Sequence, residues 1–346
     1  MVASHIKKTV DEERFGITVN LDDRRKEMKC SIIIPYAFST ESAVRLFHSL
    51  EKQDFPQSEY ELIFVNYGEK DDLTAYIAEH EPKVRVRCFT IPDGKIGQAK
   101  NMGIKKASGE LVIFINGDEI ATKSFVSGHY ITYKKYGRPI IQFGLTKQVF
   151  EDTEQVAFEH RELFRNGIRY WLTEPEKYGL EKGKVYNYIK DIRLKMLEPY
   201  RYDFNKVKYK MIFTQTSNLS IPMECIRRFG GLDENYCGQE IEDWEFGYRM
   251  MKNGVDIVYN HEVTVLHLFE KQNFDSRRYC EWQNNLDSML RKYNDSFLDE
   301  LAEFRSFFDP VRRERIRKNE PGKNIWLEVY KHLERSARAP KLVNAH

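Results

Sequence analysis

The chain has 346 residues, of which 41% are hydrophobic and 13% aromatic, and its formal net charge is +2. This length and composition predict one or two globular units with a large core, and they exclude an intrinsically disordered chain. The near-neutral charge gives no reason to expect any one class of partner. From Val311 onward, however, Lys and Arg outnumber Asp and Glu, so the tail is locally basic.

The cysteine pattern and the absence of long apolar runs bear on location. The five cysteines are scattered, odd in number and without a Cys-x-x-Cys pair. This pattern fits neither a disulfide framework nor a zinc site and favours reduced thiols in a cytosol. The amino terminus has no apolar signal-peptide core, and no run approaches about 18 apolar residues. We therefore expect a cytoplasmic protein without a membrane span.

The first third of the chain alternates short apolar runs with amphipathic segments. Residues 1–29 are highly charged and are expected to form an extension or an added strand pair. The predicted strands are 30–35, 62–65, 84–89 and 111–115, and the predicted helices between them are 39–53, 71–80 and 98–107. Because strand and helix alternate, we expect an α/β fold with a mostly parallel central sheet, flanking helices and right-handed crossovers.

The pattern is weaker in the middle of the chain and regular again near its end. The middle region, 121–215, is rich in Tyr, Lys, Arg and Phe and carries no clear motif. The elements expected after residue 150 are helices near 156–166 and 182–196, a strand at 213–222, a helix at 223–229, a helix from within 239–249 to about 254, strand segments at 255–259 and 263–267, and helices from 275 to the end.

The predicted strand at 111–115 runs directly into Asn116, Gly117, Asp118 and Glu119. Carboxylates at the carboxyl end of a strand are well placed to hold a divalent cation, because hard cations prefer oxygen ligands. Ligands of open α/β sheets bind beyond the carboxyl ends of the strands, so three predicted strand tips can face one crevice. A solvated turn after a buried strand is the alternative interpretation of this stretch by itself.

A second acidic pair, Glu242 and Asp243, lies at the predicted start of a helix. The helix dipole and the free backbone N–H groups of a first turn keep carboxylates ionised. An ionised carboxylate that faces a cleft can accept a proton from an attacking hydroxyl group. Ordinary capping of the helix is the alternative interpretation of the same pair.

Five segments, in the same order along the chain, resemble family 2 glycosyltransferases of the GT-A fold. The segments are 31–36, similar to the family's first strand; 65–68, where Val-Asp-Asp-Gly is common; 97–103, similar to Gly-x-x-x-Ala-Arg-Asn-x-Gly; 114–119, similar to the Asp-x-Asp strand end; and 229–233 with 242–249, similar to the acceptor segment of galactosyltransferase-like carboxyl domains. The resemblance covers roughly residues 30–268.

The resemblance implies a GT-A, Rossmann-like fold and a division of the chain. The expected parts are an extension at 1–29, a catalytic domain at 30–268 with a nucleotide-sugar half at 30–120, a variable insert at 121–215 and an acceptor half at 216–268, and a helical carboxyl-terminal extension at 269–346.

The resemblance also implies roles for individual residues. The residues implied to bind the nucleotide sugar are Pro35, Tyr36, Asn66, Lys100, Asn101, Asn116 and Gly117. The implied metal ligands are Asp118 and His267, and the mixed ligand set suits Mn²⁺ better than Mg²⁺. Asn116 stands where the family commonly has an acidic residue, which implies a reduced affinity for the metal. Asn66 likewise replaces a common Asp and weakens the inference that the donor base is uracil.

The implied reaction is an inverting transfer of a sugar from a nucleoside diphosphate to an acceptor. The metal and Lys100 would neutralise the departing diphosphate. Asp243 would take the proton of an attacking hydroxyl group as general base, and Glu242 would orient the acceptor. Trp244 would stack on a sugar face, or else pack in the core.

Other functions remain open at this level. A nucleotidyltransferase would need a glycine-rich basic loop after the first strand, and residues 35–38 lack one. Asn66 and Asn116 motivate a second alternative, a catalytically weak or inactive sugar-nucleotide-binding scaffold. We expect no nucleic acid partner, because Glu residues interrupt the basic tail. Homodimer formation or peripheral membrane contact through the carboxyl-terminal region, and the acceptor (sugar, lipid, peptide or small metabolite), stay undetermined.

Overall fold

The computed structural model describes residues 7–11, 16–20, 28–37, 39–68, 73–153, 169–236, 238, 241–268 and 276–304. The helix expected near 156–166, the residue Cys237 and the basic tail from residue 311 lie outside the described residues. Within the described ranges, twelve strands form one sheet that carries helices on its faces.

The strands are β1 Lys7–Asp11, β2 Gly16–Asn20, β3 Cys30–Tyr36, β4 Tyr60–Asn66, β5 Arg85–Thr90, β6 Leu111–Ile115, β7 Glu119–Ala121, β8 Ile140–Glu151, β9 Arg169–Trp171, β10 Tyr186–Ile189, β11 Asn218–Pro222 and β12 Asp256–Leu268. The α-helices are α1 Thr40–Glu51, α2 Leu73–His80, α3 Ile96–Lys106, α4 Phe125–Tyr136, α5 Ile192–Leu197, α6 Met223–Phe229, α7 Glu242–Lys252 and α8 Ser276–Tyr293. Short 3₁₀ helices are Gln57–Glu59, Pro175–Tyr178, Glu198–Tyr200, Phe204–Lys206, Lys210–Phe213 and Ser296–Phe304.

The centre of the sheet is the parallel layer that the sequence predicts. Its strands lie in the order β5, β4, β3 and β6, and each neighbouring pair runs parallel. Strands added at both sides of this layer pair antiparallel: β2 joins β5, and β11 joins β6. The β1–β2 hairpin confirms the alternative of an added strand pair for the charged amino-terminal extension. The α/β class and the parallel core are therefore confirmed.

Successive residues of β3 point into two different cores, as the period-two geometry of a strand requires. Ile32 and Ile34 pack with residues of α1 and α2 on one face. Ile33 packs on the other face with residues of α6, α7 and α8. Both faces of this strand are buried, which explains its continuous β-branched run.

The middle region departs from the predicted pattern in two places. The helix expected at 182–196 is wrong in its first half, because β10 pairs there with β8 and β9, and α5 begins only at Ile192. The strand expected at 213–222 is limited to β11, whose ladder to β6 covers 218–222. The two strand segments expected at 255–259 and 263–267 form the single strand β12, which has an irregularity between Tyr259 and Thr264. Sheet pairing overrides local propensity in each case.

The end of the described chain is helical, as expected from residue 275. Helix α8 is followed by the 3₁₀ helix at Ser296–Phe304. Trp282 and Leu286 of α8 are fully buried in the same core as α7. None of the helices in the described ranges combines the length and the apolar character needed to cross a membrane.

A buried histidine in α4 makes the stability of this fold depend on pH. Burial lowers the pKa of His129 to about 4 from 6.5, and a hydrogen bond between Nε2 and the Asn218 side chain only partly opposes the shift. Between these values the unfolded chain binds a proton that the folded chain does not, so the free energy of unfolding falls as pH falls. From pH 7 to pH 5 this single group should cost about 2 kcal/mol.

We expect His129→Gln to remove that portion of the pH dependence, measured as the difference between urea-unfolding free energies at pH 7 and pH 5. His261→Gln is the control, since its side chain is 73% exposed. An unchanged difference in the His129 variant would contradict the assignment.

Candidate active site

The tips of three strands meet at one edge of the sheet. Tyr36 of β3 pairs with Asn66 of β4, and the backbone N–H of Tyr67 donates to the carbonyl of Tyr36 at 3.0 Å. The N–H of Gly117, just beyond β6, donates to the carbonyl of Pro35 at 3.0 Å. A Cβ at Gly117 would lie 2.5 Å from the Cβ of Tyr36, so this close approach requires glycine. The structure therefore brings together the three tips that the sequence pointed to.

The stretch after β6 contains one buried and one accessible carboxylate. Glu119 is 2% exposed, and its carboxylate accepts the N–H of Asn116 at 2.9 Å. Burial, reinforced by the charge of Asp118, raises the pKa of Glu119 well above its ordinary value. The side chain of Asp118 is 48% exposed. Asp118, rather than Glu119, is thus the carboxylate that this stretch presents to a ligand.

Asn116 offers a hydrogen-bond acceptor at the same strand end. Its Oδ1 atom is buried and has no hydrogen-bond partner within the part of the chain that the structure describes. An unpaired buried acceptor costs free energy unless a ligand or water supplies a donor. The atom is therefore suited to accept a hydrogen bond from a bound hydroxyl group or from a metal-bound water.

His267, near the end of β12, faces Asp118. Its Nε2 lies 3.2 Å from Oδ2 of Asp118, and its Nδ1 lies 2.8 Å from Oε1 of Gln148. Burial acts to raise the pKa of Asp118, but the hydrogen bond and the charge of His267 outweigh it, so that pKa is lowered. If Nδ1 donates its proton to Gln148, the lone pair of Nε2 points toward the carboxylate. A carboxylate oxygen and an imidazole nitrogen held this way fit a divalent cation.

On the other side of the site, a buried lysine pairs with the two carboxylates that begin α7. Nζ of Lys100 lies 3.2 Å from Oδ1 of Asp243 and 3.6 Å from Oε1 of Glu242. The lysine side chain is 2% exposed, and those of Glu242 and Asp243 are 6% and 15% exposed. The hydroxyl of Thr216 donates to Oδ1 of Asp243 at 2.7 Å, and its N–H donates to Oδ2 at 3.1 Å. Asp243 is therefore held by three donors.

The residue before this pair has an unusual backbone. Ile241, which precedes the first helical residue of α7, has φ +69°. Positive φ is costly for a β-branched residue, and such strain often accompanies functional geometry. Here it brings the chain sharply into the helix, so that Glu242 and Asp243 stand in the first turn.

Tyr67 connects the two sides of the site electrostatically. Burial raises the pKa of this tyrosine to about 12, and the charges of Asp118 and Glu242 both add to the shift. The carboxylates of Asp118 and Glu242, which are far apart in sequence, therefore both act on the phenol of Tyr67. Tyr67 was not among the predicted site residues, although it follows directly the predicted strand tip at Asn66.

Sequence reasoning also missed two residues that contact the predicted site residues. Thr216 belongs to a polar segment before β11. The hydroxyl residues of that segment were the one sequence feature that could have indicated it. Gln148 lies on β8, within the insert for which no motif was found, so no signal pointed to it.

Several predicted site residues occupy positions different from those expected. Lys100 contacts the α7 carboxylates, and the side-chain oxygen of Asn66 accepts the N–H of Gly68 at 2.9 Å while the residue is fully buried. Trp244 is 3% exposed and belongs to the main core, so the core-packing alternative is the one that the structure favours.

Asn101 bridges α3 and the turn after α6. Its Nδ2 donates to the carbonyl of Leu232 and to the carboxylate of Glu234, both at 2.8 Å, and its Oδ1 accepts the N–H of Leu232. A Cβ at Gly231 would lie 2.4 Å from Oδ1 of Asn101, so this turn also requires glycine. In this structure the side chain of Asn101 stabilises one wall of the site, which consists of the turn at 230–234 and the start of α7.

A buried ion pair holds α7 to the same turn. Arg249 donates to both carboxylate oxygens of Glu245, at 2.9 and 3.0 Å, and to the carbonyl of Gly230 at 3.0 Å. Lys292 of α8 donates to the same carboxylate at 2.9 Å and to Asp233 at 2.8 Å. Burial tends to raise the pKa of Glu245, but these partners, Arg249 first, lower it.

Comparisons with known proteins identify the family of this chain. The sequence model of glycosyl transferase family 2 matches residues 31–206, which is more than half of the chain. This chain belongs to glycosyl transferase family 2.

Two relatives of this family 2 glycosyltransferase align over most of its length, and a third over 28% of it. The uncharacterized glycosyltransferase YfnE of Bacillus subtilis is 23% identical over 304 residues, covering 84% of this chain and 77% of YfnE. The validoxylamine A glucosyltransferase of Streptomyces hygroscopicus subsp. jinggangensis is 22% identical, covering 83% of this chain and 67% of that enzyme. The poly(ribitol-phosphate) beta-N-acetylglucosaminyltransferase TarS of Staphylococcus aureus is 31% identical over 98 residues, only 17% of TarS.

Solved structures show the same fold. A structure of S. aureus TarS 1-349 in complex with UDP-GlcNAc superposes with a TM-score of 0.50 at 14% identity, covering 84% of this chain and 73% of that chain. GalNAc-T7 with UDP, GalNAc and Mn²⁺ superposes with a TM-score of 0.53 at 14% identity, covering 92% of this chain and 59% of that one. At these identities the likeness establishes the GT-A fold of this glycosyltransferase and nothing finer.

The Arg249–Glu245 ion pair within α7, whose arginine also donates to the Gly230 carbonyl, is expected to stabilise the fold. Arg249→Met leaves Glu245, which is fully buried, without its bidentate partner, and should lower the free energy of unfolding by about 3 kcal/mol in urea titrations. Arg277→Met is the matched control: it also breaks an Arg–Glu pair four residues apart, but the arginine is 87% exposed and little change is expected. An equal change in the free energy of unfolding in both variants would refute the stabilising role of Arg249.

Proposed function

We propose that this protein is a metal-dependent, inverting glycosyltransferase that moves a sugar from a UDP-sugar to an acceptor hydroxyl group, with Asp243 as general base. The observation that carries this proposal is the position of Asp243, ionically paired at the start of α7, in a site that also contains the strand tips of the nucleotide side. Solved structures of one relative, S. aureus TarS 1-349, with UDP and with UDP-GlcNAc support a uridine nucleotide as donor.

Asp243 is held in place and yet remains accessible. The two donors of Thr216 and the ammonium of Lys100 fix its carboxylate in the first turn of α7. Its side chain nevertheless keeps 15% exposure, so a substrate hydroxyl group can reach it. A carboxylate with these properties can take the acceptor proton as the acceptor oxygen attacks the anomeric carbon.

Glu242 explains how the site tolerates Asp243 after that residue has taken a proton. Lys100 lies between Asp243 and Glu242, so its ammonium keeps one counter-charge after Asp243 has taken a proton. A buried ammonium without any counter-charge would be strongly unfavourable. We therefore assign to Lys100 the role of counter-ion for both carboxylates, in place of the direct diphosphate contact that the family resemblance implied. Glu242 remains the residue proposed to orient the acceptor.

Asp118 and His267 are proposed to hold the metal, with Gln148 fixing the imidazole orientation. A mixed set of carboxylate and imidazole favours Mn²⁺ over Mg²⁺, and the solved GalNAc-T7 structure contains Mn²⁺. When bound, the cation supplies positive charge that stabilises the departing diphosphate. The unpartnered Oδ1 of Asn116 supports a contact with a donor hydroxyl group or with a metal-bound water.

Inversion is part of the proposal because the proposed metal ligands and the proposed base come from different elements. The metal ligands come from the end of β6 and from β12, whereas Asp243 comes from α7 and is held by Thr216. A base apart from the leaving group would let the acceptor attack from the face opposite the diphosphate. A cytoplasmic location and the division into domains remain predictions from the sequence.

We expect Asp243→Asn to reduce UDP release from UDP-GlcNAc or UDP-glucose in the presence of Mn²⁺, with water as acceptor, by at least about 100-fold, because a general base typically contributes this much. UDP affinity, measured by calorimetry, should stay unchanged. Asp256→Asn is the control, since that residue makes only an exposed ion pair with Arg138. Unchanged UDP release in Asp243→Asn would exclude Asp243 as the base. Wild-type protein that binds UDP without releasing it from any donor would favour the scaffold alternative.

We expect Mn²⁺ to strengthen UDP binding by about tenfold or more in the wild type, and this gain to disappear in Asp118→Asn and His267→Gln. Calorimetry with and without a chelator measures the coupling. His261→Gln, an exposed surface variant, should behave as wild type. Equal wild-type affinity for UDP with Mn²⁺ and with chelator would refute the metal role.

A further inference from the structure

A second group of metal-ligating side chains lies away from the candidate active site. His48 and Glu51 stand in the last turn of α1, and His80 is the last residue of α2. Each helix connects two neighbouring parallel strands of the sheet. Such helices run back against the strand direction, so their carboxyl ends lie near the strand starts and away from the strand tips. The hydroxyl of Tyr60, at the start of β4, accordingly donates to the carbonyl of Leu50.

The three side chains converge on one point. Nε2 of His80 lies 3.0 Å from Oε2 of Glu51, and Nδ1 of His48 lies 3.6 Å from the same oxygen. One ligand atom from each residue lies within 4.8 Å of the other two. A tetrahedral ion with bonds of about 2.1 Å separates its ligands by about 3.4 Å. The 3.0 and 3.6 Å separations of these ligand atoms are therefore already close to those in a metal site.

Neighbouring groups hold each of the three side chains in place. Oε1 of Glu51 accepts the backbone N–H of Lys83 at 3.2 Å, which leaves Oε2 toward the histidines. Nε2 of His48 lies 2.7 Å from the hydroxyl of Tyr76, which leaves Nδ1 toward Glu51. The ring of His80 stacks on that of Tyr76, with centroids 5.9 Å apart and planes at 12°. Such outer contacts are typical of metal sites, where they orient the ligands.

The two imidazole rings lie close enough to share one ion. The ring centroids of His48 and His80 are 4.8 Å apart, and the ring planes are at an angle of 77°. Neutral imidazole nitrogens are common ligands of divalent metals.

We propose that His48, Glu51 and His80 bind one Zn²⁺ ion, with water completing the tetrahedron. Two imidazole nitrogens and one carboxylate oxygen form a ligand set that suits zinc better than Mg²⁺ or Ca²⁺. The ligands come from the ends of two helices, so the ion joins α1 to α2 at the end of the sheet opposite the active site. The site is a stabilising one and takes no part in sugar transfer.

The test uses the full chain in a His267→Gln background, so that the proposed active-site metal does not contribute. After treatment with a chelator and its removal, the protein is titrated with ZnCl₂ by calorimetry. We expect one Zn²⁺ per chain, no binding when His80→Gln or Glu51→Gln is added, and affinity about tenfold weaker when Tyr76→Phe is added. His261→Gln, a substitution of an exposed histidine, is the control and should leave binding unchanged.

Thermal unfolding of the same variants gives a second measurement. Zn²⁺ should raise the unfolding temperature in the background protein and leave it unchanged after addition of His80→Gln. Comparing the urea-unfolding midpoints without metal shows whether each variant is folded. Equal zinc affinity with and without His80→Gln, or no zinc binding by the background protein, would overturn the proposal and leave a hydrogen-bonded cluster. Neither result depends on whether the protein transfers a sugar.

Discussion

A buried ammonium joins the two halves of the candidate site. Lys100 lies on α3, and its partner Asp243 follows 143 residues later at the start of α7. Because a buried charge without partners is very unfavourable, α3 and α7 must dock together for the chain to reach this fold. The contact that pairs Lys100 also fixes the carboxylate of Asp243 at the start of α7. Stability and site geometry therefore depend on the same interaction.

The residue after Lys100 reinforces the docking. Asn101 uses its amide on the turn at 232–234, and Arg249 binds the adjacent Gly230 carbonyl as well as Glu245. The wall that carries Asp243 is thus fixed by hydrogen bonds from α3, α7 and α8. The opposite corner is more open, since the side chain of Asp118 is 48% exposed. For the proposed reaction, a firmly held Asp243 and an accessible Asp118 suit an enzyme whose donor must enter and whose nucleotide must leave.

The parallel core of the sheet was predictable because β3, β4 and β6 contain continuous apolar runs and α1 between them has a clear apolar stripe. The strand within 182–196 could not be predicted. Its stability comes from pairing of β10 with β8 and β9, which no local pattern reveals. Asp118 and His267 could both be named from strand ends. Their approach to 3.2 Å depends on the antiparallel pairing of β12 with β7. Asn101 was assigned to the donor by its motif, yet its side chain contacts the acceptor-side turn.

The sequence by itself determined the fold class, the strand tips that face the crevice and the acidic pair at the start of a helix, because these depend on local periodicity and on residue type. Only the tertiary structure decided that Lys100 pairs with both carboxylates, that Thr216 and Gln148 contact Asp243 and His267, and that Trp244 packs in the core. It also brought His48, Glu51 and His80 together from two helices. Contacts between residues distant in the chain depend on how helices and strands pack, and packing is a property of the whole fold.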